Sequence, residues 1–401
     1  MRLLYLSDIR FPLERANGIQ TMETCHALAR RGHDVTLVVR PDTTSPARDP
    51  FAFYGLPPLD RVHVIAVRVR GGPTARRAGY LAAAVRHIAS RRADLVFTRD
   101  LGLAAHALSL PSRLRPPLVY ESHGVSAVVS GALGALLSTA TSASPHKQKR
   151  LHQREHSVWT KADGYVTITA ALAEDLRERF GPREALAVVP DGVRLRPDRR
   201  FDLPEASGPP LAVYAGHLYP WKGVDTLLQA LALAPRLQAL IVGGHPLEPD
   251  LPRLQALAAT LGLESRVQFA GLVPPDAVAS HLARADVLVL PNSATTLSAR
   301  YTSPLKLFEY LAAGRPIVAA DLPALREILE HDSNAWLVPP DDAAALAGAM
   351  EHVTGHLDLA RRLARAAFDL APAFTWDARA AHLETLCERV LAGVRQAAGA
   401  E

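Results

Sequence analysis

Residues 303–316 bring together a helix start, a cation and a carboxylate. Ser303 and Pro304 are typical of a helix start, because a proline in the first helical turn loses no hydrogen bond. The first N–H groups of a helix have no partner within it and lie at the positive end of its dipole, so they bind phosphate. Lys306 adds a cation, and Glu309 adds a carboxylate that can accept hydrogen bonds from both hydroxyls of a ribose. The segment therefore predicts a compound of a nucleoside diphosphate as the ligand.

A second lysine lies in residues 216–225, between an apolar run and a helical stretch. Gly216 follows the run, and Lys222 precedes a glycine that opens the helix. A lysine at such a junction can reach a diphosphate as a point charge. Most lysines lie solvated at the surface, so the position alone leaves both interpretations of Lys222 open.

Two smaller signals lie in the first half of the chain. Asn17 and Gly18 fall in a predicted loop after the first strand, where a glycine lets the backbone approach a phosphate or a sugar. A turn before a helix explains the same two residues equally well. No G-x-G-x-x-G follows that strand, which counts against a nicotinamide or flavin enzyme.

His123 follows the apolar run 118–121 near its predicted carboxyl end. A histidine facing a cleft can hydrogen-bond a sugar hydroxyl or polarise a reacting group. A histidine that only satisfies neighbouring backbone groups in a loop is the alternative, and the residue itself does not separate the two.

Short apolar runs that alternate with helical stretches must position these residues. The predicted strands are 3–7, 33–39, 62–69, 95–98, 118–121, 164–169 and 187–190 in the first half, and 211–215, 239–242, 267–269, 287–290, 317–320 and 335–338 in the second. This βαβ alternation is typical of parallel sheets with right-handed crossovers. We therefore predict an α/β protein with two facing, doubly wound Rossmann-like domains and a ligand site in the cleft between them.

The boundary between the domains is predicted in residues 194–210, which are rich in proline, aspartate and arginine. The first domain then covers residues 1–199 and the second residues 200–372. Residues 373–401 contain an amphipathic helix, predicted from 374 to 390, with no strand after it. Helices are also predicted at 21–31 and 80–92.

Composition narrows the class of protein. The chain has 401 residues, 48% of them hydrophobic and 21% charged, and two cysteines, so neither a disulfide framework nor zinc-type spacing is present. The opening residues are too quickly polar for a signal peptide, and no apolar run reaches membrane-spanning length, so we expect a cytoplasmic protein. The net charge is +5, but the arginines are scattered without interleaved aromatics, which counts against nucleic acid as a partner.

Two other charged features have simpler explanations than ligand binding. Asp341 and Asp342 resemble a metal-binding pair, but they follow two prolines and precede a helix, so an N-cap is the better interpretation.

Residues 125–140 are apolar and residues 146–156 are basic, a combination that can meet a membrane surface or a lipid-linked acceptor. A solvated basic helix is the more common outcome.

Taken in order, residues 190–193, 216–225, 287–291 and 303–316 resemble glycosyltransferase family 4, the retaining nucleotide-sugar transferases of GT-B architecture. The resemblance extends over nearly the whole chain. It implies that the last helix, in residues 373–401, returns to the first domain.

The resemblance also implies roles for individual residues. Lys222 would bind the donor diphosphate, Glu309 would hold the donor ribose, and His123 would contact the transferred sugar. Amides near Pro304 would seat the distal phosphate. With the residues named above, the predicted donor-binding set is Asn17, Gly18, Gly216, His217, Lys222, Arg300, Tyr301, Ser303, Pro304, Leu305, Lys306 and Glu309, and the predicted catalytic set is His123, Lys222 and Glu309.

Two positions depart from the family pattern. Tyr301 stands where the family has the first of its paired glutamates, so the usual carboxylate contact with the donor sugar is missing. His217 stands where an arginine commonly follows the glycine, so half of the usual diphosphate clamp is altered. Arg300 or Lys306 is then the candidate for the missing positive charge.

The implied activity is transfer of a hexosyl group from a nucleoside-diphosphate sugar to a hydroxyl, with retention and with neither a metal nor a cofactor. The acceptor would be a glycan, a lipid-linked compound or a small molecule, in glycan, polysaccharide or glycolipid synthesis, and peripheral contact with the inner membrane surface stays open. A GT-B epimerase or phosphorylase is one alternative. The other is a non-catalytic nucleotide-sugar-binding subunit, which the change at Tyr301 makes a distinct hypothesis.

Overall fold

The computed structural model describes residues 1–136, 144–203, 208–244 and 250–399. The chain divides into two compact units. The first comprises Met1–Gly131, Thr141–Asp191 and Trp376–Glu401, and the second comprises Ala132–Ala140 and Gly192–Thr375. The C-terminal residues therefore belong to the same unit as the N-terminal ones.

The sheet of the first unit is parallel and has seven strands among the described residues. They are β1 Arg2–Arg10, β2 Asp34–Arg40, β3 Val62–Ala66, β4 Leu95–Thr98, β5 Leu118–Ser122, β6 Gly164–Thr167 and β7 Leu186–Val188, in the order β3-β2-β1-β4-β5-β6-β7. The connecting helices are α1 Ala16–Arg30, α2 Pro50–Phe53, α3 Pro73–Ala89, α4 Leu101–Ala107, α5 Ser126–Leu136, α6 Pro145–Lys161 and α7 Ala170–Phe180. Every residue of β4, β5 and β6 is buried, as expected for parallel strands covered on both faces.

The sheet of the second unit is also parallel, with six described strands. They are β8 Leu211–Ala215, β9 Gln238–Val242, β10 Val267–Gly271, β11 Val287–Leu290, β12 Ile317–Ala320 and β13 Trp336–Val338, in the order β10-β9-β8-β11-β12-β13. The helices are α8 Val224–Leu233, α9 Asp250–Thr260, α10 Val278–Leu282, α11 Thr296–Arg300, α12 Leu305–Ala313, α13 Pro323–Arg326, α14 Ala343–Gly355 and α15 Leu357–Leu370, and α16 Trp376–Gly399 follows as part of the first unit.

In each sheet the order in which successive strands are added reverses at the first strand. The reversal lies between β1 and β4 in one unit and between β8 and β11 in the other. The prediction of two doubly wound α/β domains is therefore confirmed. Ligands of such sheets bind outside the carboxyl ends of the strands, at the point where the strand order reverses. In the second unit, the loops after β8 and β11 meet at that point.

Several helix boundaries differ from the predicted ones. Helix α1 begins at Ala16, so Asn17 and Gly18 lie in its first helical turn and the prediction of a loop there is wrong. Helix α3 begins at Pro73 rather than at the predicted residue 80, because a proline fits the first helical position. Gly79, which is unfavourable inside a helix, lies between the observed and the predicted start. Helix α16 continues to Gly399, beyond the predicted end at residue 390.

Two predicted helix starts fall close to their observed places. Asp342 caps α14, and its side chain accepts a hydrogen bond from the Ala345 N–H at 2.9 Å, so the N-cap interpretation is confirmed. Pro304 is the residue before α12 rather than its first residue. Leu305 therefore opens that helix, one position later than predicted.

Candidate donor site

A glycine allows the loops after β8 and β11 to touch. Gly223 has φ +72°, and a Cβ added to it would lie 1.7 Å from the Pro291 carbonyl oxygen. The Trp221 carbonyl accepts hydrogen bonds from the Ser293 N–H at 3.2 Å and from the Ser298 hydroxyl at 2.9 Å. These contacts hold the residue before Lys222 against the second loop.

Lys222 ends the short helical turn Pro220–Lys222 that these contacts hold. Its side chain is half-buried. Burial lowers the pKa of Lys222 to about 8, because the charged form loses hydration there. The lysine thus lies beside the point where the strand order reverses. Because it is partly desolvated, its charged form attracts an anion more strongly than a fully hydrated lysine does.

Lys306 projects from the first turn of α12 and is 6% exposed. Its Nζ lies 3.7 Å from the centre of the Tyr214 ring, and among the described residues it has no hydrogen-bond partner. Burial, with repulsion from Lys222, lowers the pKa of Lys306 well below its usual range, although Glu309 opposes this effect. Among the described residues the lysine therefore has no hydrogen bond, and the charge of Glu309 does not make up for the lost hydration of a buried ammonium group.

Tyr214, on β8, fixes the surroundings of this ammonium group. Its hydroxyl donates a hydrogen bond to the His217 carbonyl at 2.6 Å, while its ring faces Lys306. A Cβ added to Gly216 would lie 3.6 Å from the Lys306 Nζ, so the lysine reaches the start of the loop after β8.

Glu309 lies one turn after Lys306 on α12 and is half-buried. Burial raises the pKa of Glu309 to about 7, against the opposing effect of the Lys306 charge. The helix is anchored at this point, because the Tyr310 hydroxyl accepts a hydrogen bond from the Ala215 N–H at 2.8 Å. The structure thus brings Lys222, Lys306 and Glu309 together beside β8.

The other predicted donor-binding residues of this unit lie around the same two loops. Tyr301 follows α11 and is 5% exposed, whereas Arg300 is exposed and Ser303 is half-buried. The His217 ring is stacked on Tyr219, with centroids 5.2 Å apart, and Tyr219 is stacked on Trp221 at 4.7 Å. This stack was not predicted from the sequence, although aromatic rings at every second position were a usable signal.

Asn292 is a further residue that sequence reasoning missed. It follows β11, is fully buried, and neither its Oδ1 nor its Nδ2 has a hydrogen-bond partner among the described residues. A Cβ added to Gly223 would lie 3.3 Å from its backbone nitrogen. Polar residues directly after an apolar strand were the signal that could have identified it.

In the first unit, Gly18 has a packing role. A Cβ added to it would lie 2.3 Å from the Leu13 carbonyl oxygen and 2.4 Å from the Tyr54 hydroxyl. Its own N–H donates a hydrogen bond to the Arg15 carbonyl at 2.8 Å. Asn17, beside it, accepts a long hydrogen bond of 3.4 Å from the Thr21 hydroxyl.

His123 belongs to a buried polar cluster in the same unit. Its Nε2 lies 2.5 Å from Oε1 of Glu121, the last residue but one of β5. Gln20 and Arg379 also bond the Glu121 carboxylate, each at 2.5 Å. Sequence reasoning missed Glu121, Gln20 and Arg379, because nothing local indicates that a residue of α16 lies beside β5.

The described residues also bear on metal binding and on membrane insertion. No group of three or more histidine, cysteine, aspartate and glutamate side chains is arranged to hold a metal ion in this part of the chain. Within the same described ranges, no helix is both long enough and apolar enough to cross a membrane.

Two family models match the chain and together cover most of it. Residues 18–192 match the glycosyl transferase 4-like domain, and residues 209–356 match glycosyl transferases group 1. The chain therefore belongs to glycosyltransferase family 4, and the prediction made from its motifs is confirmed.

Curated relatives carry the name D-inositol 3-phosphate glycosyltransferase. The protein from Nocardia farcinica is 32% identical over 66% of this chain and 59% of its own length, so the match spans about three fifths of that relative. The protein from Xylanimonas cellulosilytica is 29% identical over 91% of this chain and 89% of its own length.

Solved structures share the fold. Sucrose-phosphate synthase from Thermosynechococcus elongatus superposes with a TM-score of 0.79 at 21% identity, covering 98% of this chain and 99% of the other. Anabaena HepE, solved in complex with UDP-glucose, gives 0.71 at 19% identity, covering 97% of this chain and 100% of the other. The architecture of this protein is thus the GT-B fold.

Proposed function

We propose that this protein transfers a hexosyl group from a nucleoside-diphosphate sugar to a hydroxyl acceptor, with retention of configuration and without a metal ion. The observation that carries the proposal is the buried ammonium group of Lys306, unpartnered among the described residues, beside Lys222 and Glu309. Two lysines and the N–H groups at the start of α12 can bind a diphosphate. The carboxylate of Glu309, one turn further along α12, can accept hydrogen bonds from the hydroxyls of a ribose. Donor binding is thereby assigned to residues 200–372, and acceptor binding to residues 1–199.

The diphosphate is the group that leaves during transfer, and its negative charge grows as the bond to the sugar breaks. Lys222 and Lys306 stabilise that charge, together with the N–H groups that open α12 near Pro304, Leu305 and Lys306. The Leu307 N–H is already bonded to the Pro304 carbonyl at 2.8 Å, so the two earlier amides are the ones assigned to the phosphate. Lys306 takes the place of the arginine that the family commonly has at position 217.

The sugar acquires oxocarbenium character as the diphosphate leaves. His123 is assigned to one of its hydroxyl groups, and Tyr301 to another in place of the family's first glutamate. The acceptor hydroxyl attacks the same face that the diphosphate leaves, which gives retention.

Binding at a membrane surface is a separate part of the proposal. Helix α6 exposes Lys147, Lys149 and Arg150, which suits peripheral contact with the anionic inner surface of a membrane. Part of the apolar stretch 125–140 lies outside the described residues. Sedimentation with vesicles tests this point: binding to anionic but not to neutral vesicles supports it, and equal recovery in the supernatant contradicts it.

The activity is tested in two steps. A thermal-shift panel of UDP-, GDP- and ADP-sugars first identifies the donor, since a ligand of the folded state raises the melting temperature. The labelled donor is then incubated with glycan, lipid-linked and small-molecule acceptors in the presence of EDTA. The names of the curated relatives make D-inositol 3-phosphate the first small molecule to include.

We expect release of nucleoside diphosphate only when an acceptor is present, and an anomeric configuration in the product equal to that of the donor by NMR. An inverted product contradicts retention, and complete loss of turnover in EDTA contradicts metal independence. Tight donor binding without turnover on any acceptor indicates the non-catalytic subunit that the change at Tyr301 suggests. Interconversion of the donor without an acceptor indicates an epimerase, and turnover that needs inorganic phosphate indicates a phosphorylase.

A further inference from the structure

Glu121 is a fully buried carboxylate whose two oxygens are both occupied. Oε2 accepts a hydrogen bond from Arg379 Nη2 at 2.5 Å, and this arginine is also nearly fully buried. Oε1 lies 2.5 Å from the Gln20 side-chain nitrogen and 2.5 Å from His123 Nε2. The carboxylate therefore joins a residue of α16 to the histidine that follows β5.

The orientation of the Gln20 amide follows from its second partner. Arg99 bonds the Gln20 Oε1, and a guanidinium group only donates hydrogen bonds, so that atom must be the amide oxygen. The Gln20 nitrogen then donates to Glu121. This nitrogen and His123 Nε2 lie 3.3 Å apart. Both are donors to the same acceptor, Oε1 of Glu121.

Glu121 is held in its ionised form by the same neighbours. Burial alone raises the pKa of a carboxyl group, but Arg379, His123 and Arg99 outweigh it and hold the pKa of Glu121 well below its usual range. An ionised carboxylate only accepts hydrogen bonds. The His123 Nε2 that faces it at 2.5 Å must therefore carry a proton.

His123 itself is held in its neutral form. Burial and the charge of Arg99 lower the pKa of His123, against the opposing effects of Glu121 and Asp191. In a neutral imidazole with the proton on Nε2, the other nitrogen Nδ1 is a hydrogen-bond acceptor. About a fifth of the side chain, 22%, stays exposed, so a ligand can reach the ring.

We propose that Glu121, held in place by Arg379, fixes His123 in the Nε2–H tautomer, so that Nδ1 accepts a hydrogen bond from a ligand hydroxyl. Glu121 and Arg379 are positioning residues, since they act through His123. The identity of that hydroxyl as one of the donor sugar rests on the proposed function. The group recognised at this position must be a hydrogen-bond donor, which neither a deoxy nor a deoxyfluoro sugar supplies.

The tautomer is measured directly in the ligand-free, full-length protein. Long-range ¹H–¹⁵N spectra of protein labelled at histidine distinguish the two neutral tautomers and the charged ring, and a His123→Asn spectrum identifies the signals of His123. We expect protonated Nε2 and unprotonated Nδ1 at pH 7.5. A proton on Nδ1, whether in the other tautomer or in the charged ring, overturns the proposal.

Glu121→Gln separates this positioning role from a merely structural one. Arg379 requires an acceptor, so the amide oxygen of the introduced side chain faces it and the NH₂ group turns toward His123 and the Gln20 nitrogen. The histidine proton then moves to Nδ1, and the Gln20 nitrogen loses its acceptor. We expect this inverted tautomer in the NMR spectrum and a fall of at least about tenfold in kcat/KM with the natural donor. In a His123→Asn background the same substitution should have little further effect, and an equal loss in both backgrounds overturns the proposal.

A second carboxylate–histidine pair of this unit provides the control. Glu384 lies 2.9 Å from His33 Nε2 and also bonds Arg31, away from the predicted site residues. Glu384→Gln should alter only the His33 signals and leave kcat/KM unchanged. If Glu121→Gln does not fold, the tautomer of His123 in the unsubstituted protein still tests the proposal. If the unsubstituted protein shows the expected tautomer but no transferase activity, that result contradicts the proposed function and not the role of Glu121.

Discussion

The Lys306 ammonium group lies 3.7 Å from the centre of the Tyr214 ring and, among the described residues, forms no hydrogen bond. A cation–π contact of this kind stabilises a buried ammonium by about 2 kcal/mol or somewhat more, whereas removing the ion from water costs several kcal/mol. The ligand-free protein therefore keeps a desolvated lysine amino group beside Gly216, with a pKa well below its usual range. An arriving diphosphate provides negative charge and hydrogen-bond acceptors for the protonated lysine, so donor binding offsets the free-energy cost of burying it.

Replacing Lys306 by methionine should change stability and affinity in opposite directions. Lys306→Met keeps the aliphatic part of the side chain over Tyr214 but removes the unpaired charge, so the melting temperature should stay equal or rise, while affinity for the nucleoside diphosphate falls at least about tenfold. Thermal unfolding and calorimetry measure the two quantities. Lys161→Met, at an exposed lysine at the end of α6, is the control and should change neither. A fall in both quantities for Lys306→Met would indicate a structural lysine.

The same lysine should affect the pH dependence of stability. Because the pKa of Lys306 is lowered in the folded state, the unfolded chain binds more protons between that lowered pKa and the ordinary value near 10.5. The free energy of unfolding of the unsubstituted protein should therefore rise with pH across this window relative to that of Lys306→Met. Urea unfolding at several pH values measures the difference, and parallel curves would contradict the expectation.

Binding of the nucleoside diphosphate should depend on pH in a bell-shaped manner. The pKa of Glu309 is raised to about 7, so its stronger-accepting ionised form is lost as pH falls below that value, and the pKa of Lys222 is lowered to about 8, so its charge is lost as pH rises above that value. Affinity should be greatest between these limits. Glu309→Gln should remove the acid limb, and Lys222→Arg should reduce the alkaline limb to the part that Lys306 contributes, since the pKa of Lys306 is also lowered. An unchanged acid limb in the first variant, or an unchanged alkaline limb in the second, would assign the titrations to other groups.

Tyr301 should contribute to recognition of the sugar rather than of the nucleotide. If its hydroxyl bonds a sugar hydroxyl, Tyr301→Phe weakens the intact nucleotide sugar by about 1 kcal/mol and spares the bare nucleoside diphosphate. Tyr301→Glu should not improve turnover, because the buried pocket would have to accommodate a new charge. Equal losses for both ligands in Tyr301→Phe, or no loss for either, would show that this buried tyrosine only packs against its neighbours.

Gly223 should be required for the junction that carries Lys222. Gly223→Ala adds a Cβ 1.7 Å from the Pro291 carbonyl oxygen at φ +72°, so it should destabilise the protein by more than about 2 kcal/mol. Gly262→Ala is the matched control, since its φ is +67° but nothing lies within 4 Å of the added Cβ, and it should cost about 1 kcal/mol. Equal shifts in melting temperature for the two variants would show that the contact with Pro291 relaxes freely.

Local sequence was sufficient for the strands but not for the contacts between distant residues. Strands β4, β8, β11 and β12 were predicted with their observed bounds, because buried parallel strands form short apolar runs with clear ends. The start of α1 was missed because Asn17 and Gly18 are typical of turns, and their helical geometry depends on packing against Leu13 and Tyr54.

The polar contacts of the two candidate sites depend on tertiary structure. Lys306 and Glu309 were identified because they are close in sequence and open a helix. The Tyr214 ring under Lys306 comes from another strand, and Arg379 reaches Glu121 across 258 positions of the chain. No local pattern encodes such pairs. The Lys306 amino group without a hydrogen-bond partner among the described residues, and the polar cluster around Glu121, therefore became evident only in the folded chain.

The most direct test of the donor site compares a nucleoside diphosphate with its monophosphate, using the base that gives the largest thermal shift. Calorimetry on the unsubstituted protein and on Lys222→Gln measures both affinities. We predict that the unsubstituted protein prefers the diphosphate at least about tenfold, since the lysine meets the second phosphate as a charge-assisted partner, and that the preference largely disappears in the variant. A Lys222→Gln protein that keeps the full preference would contradict the assignment of this site to the donor diphosphate.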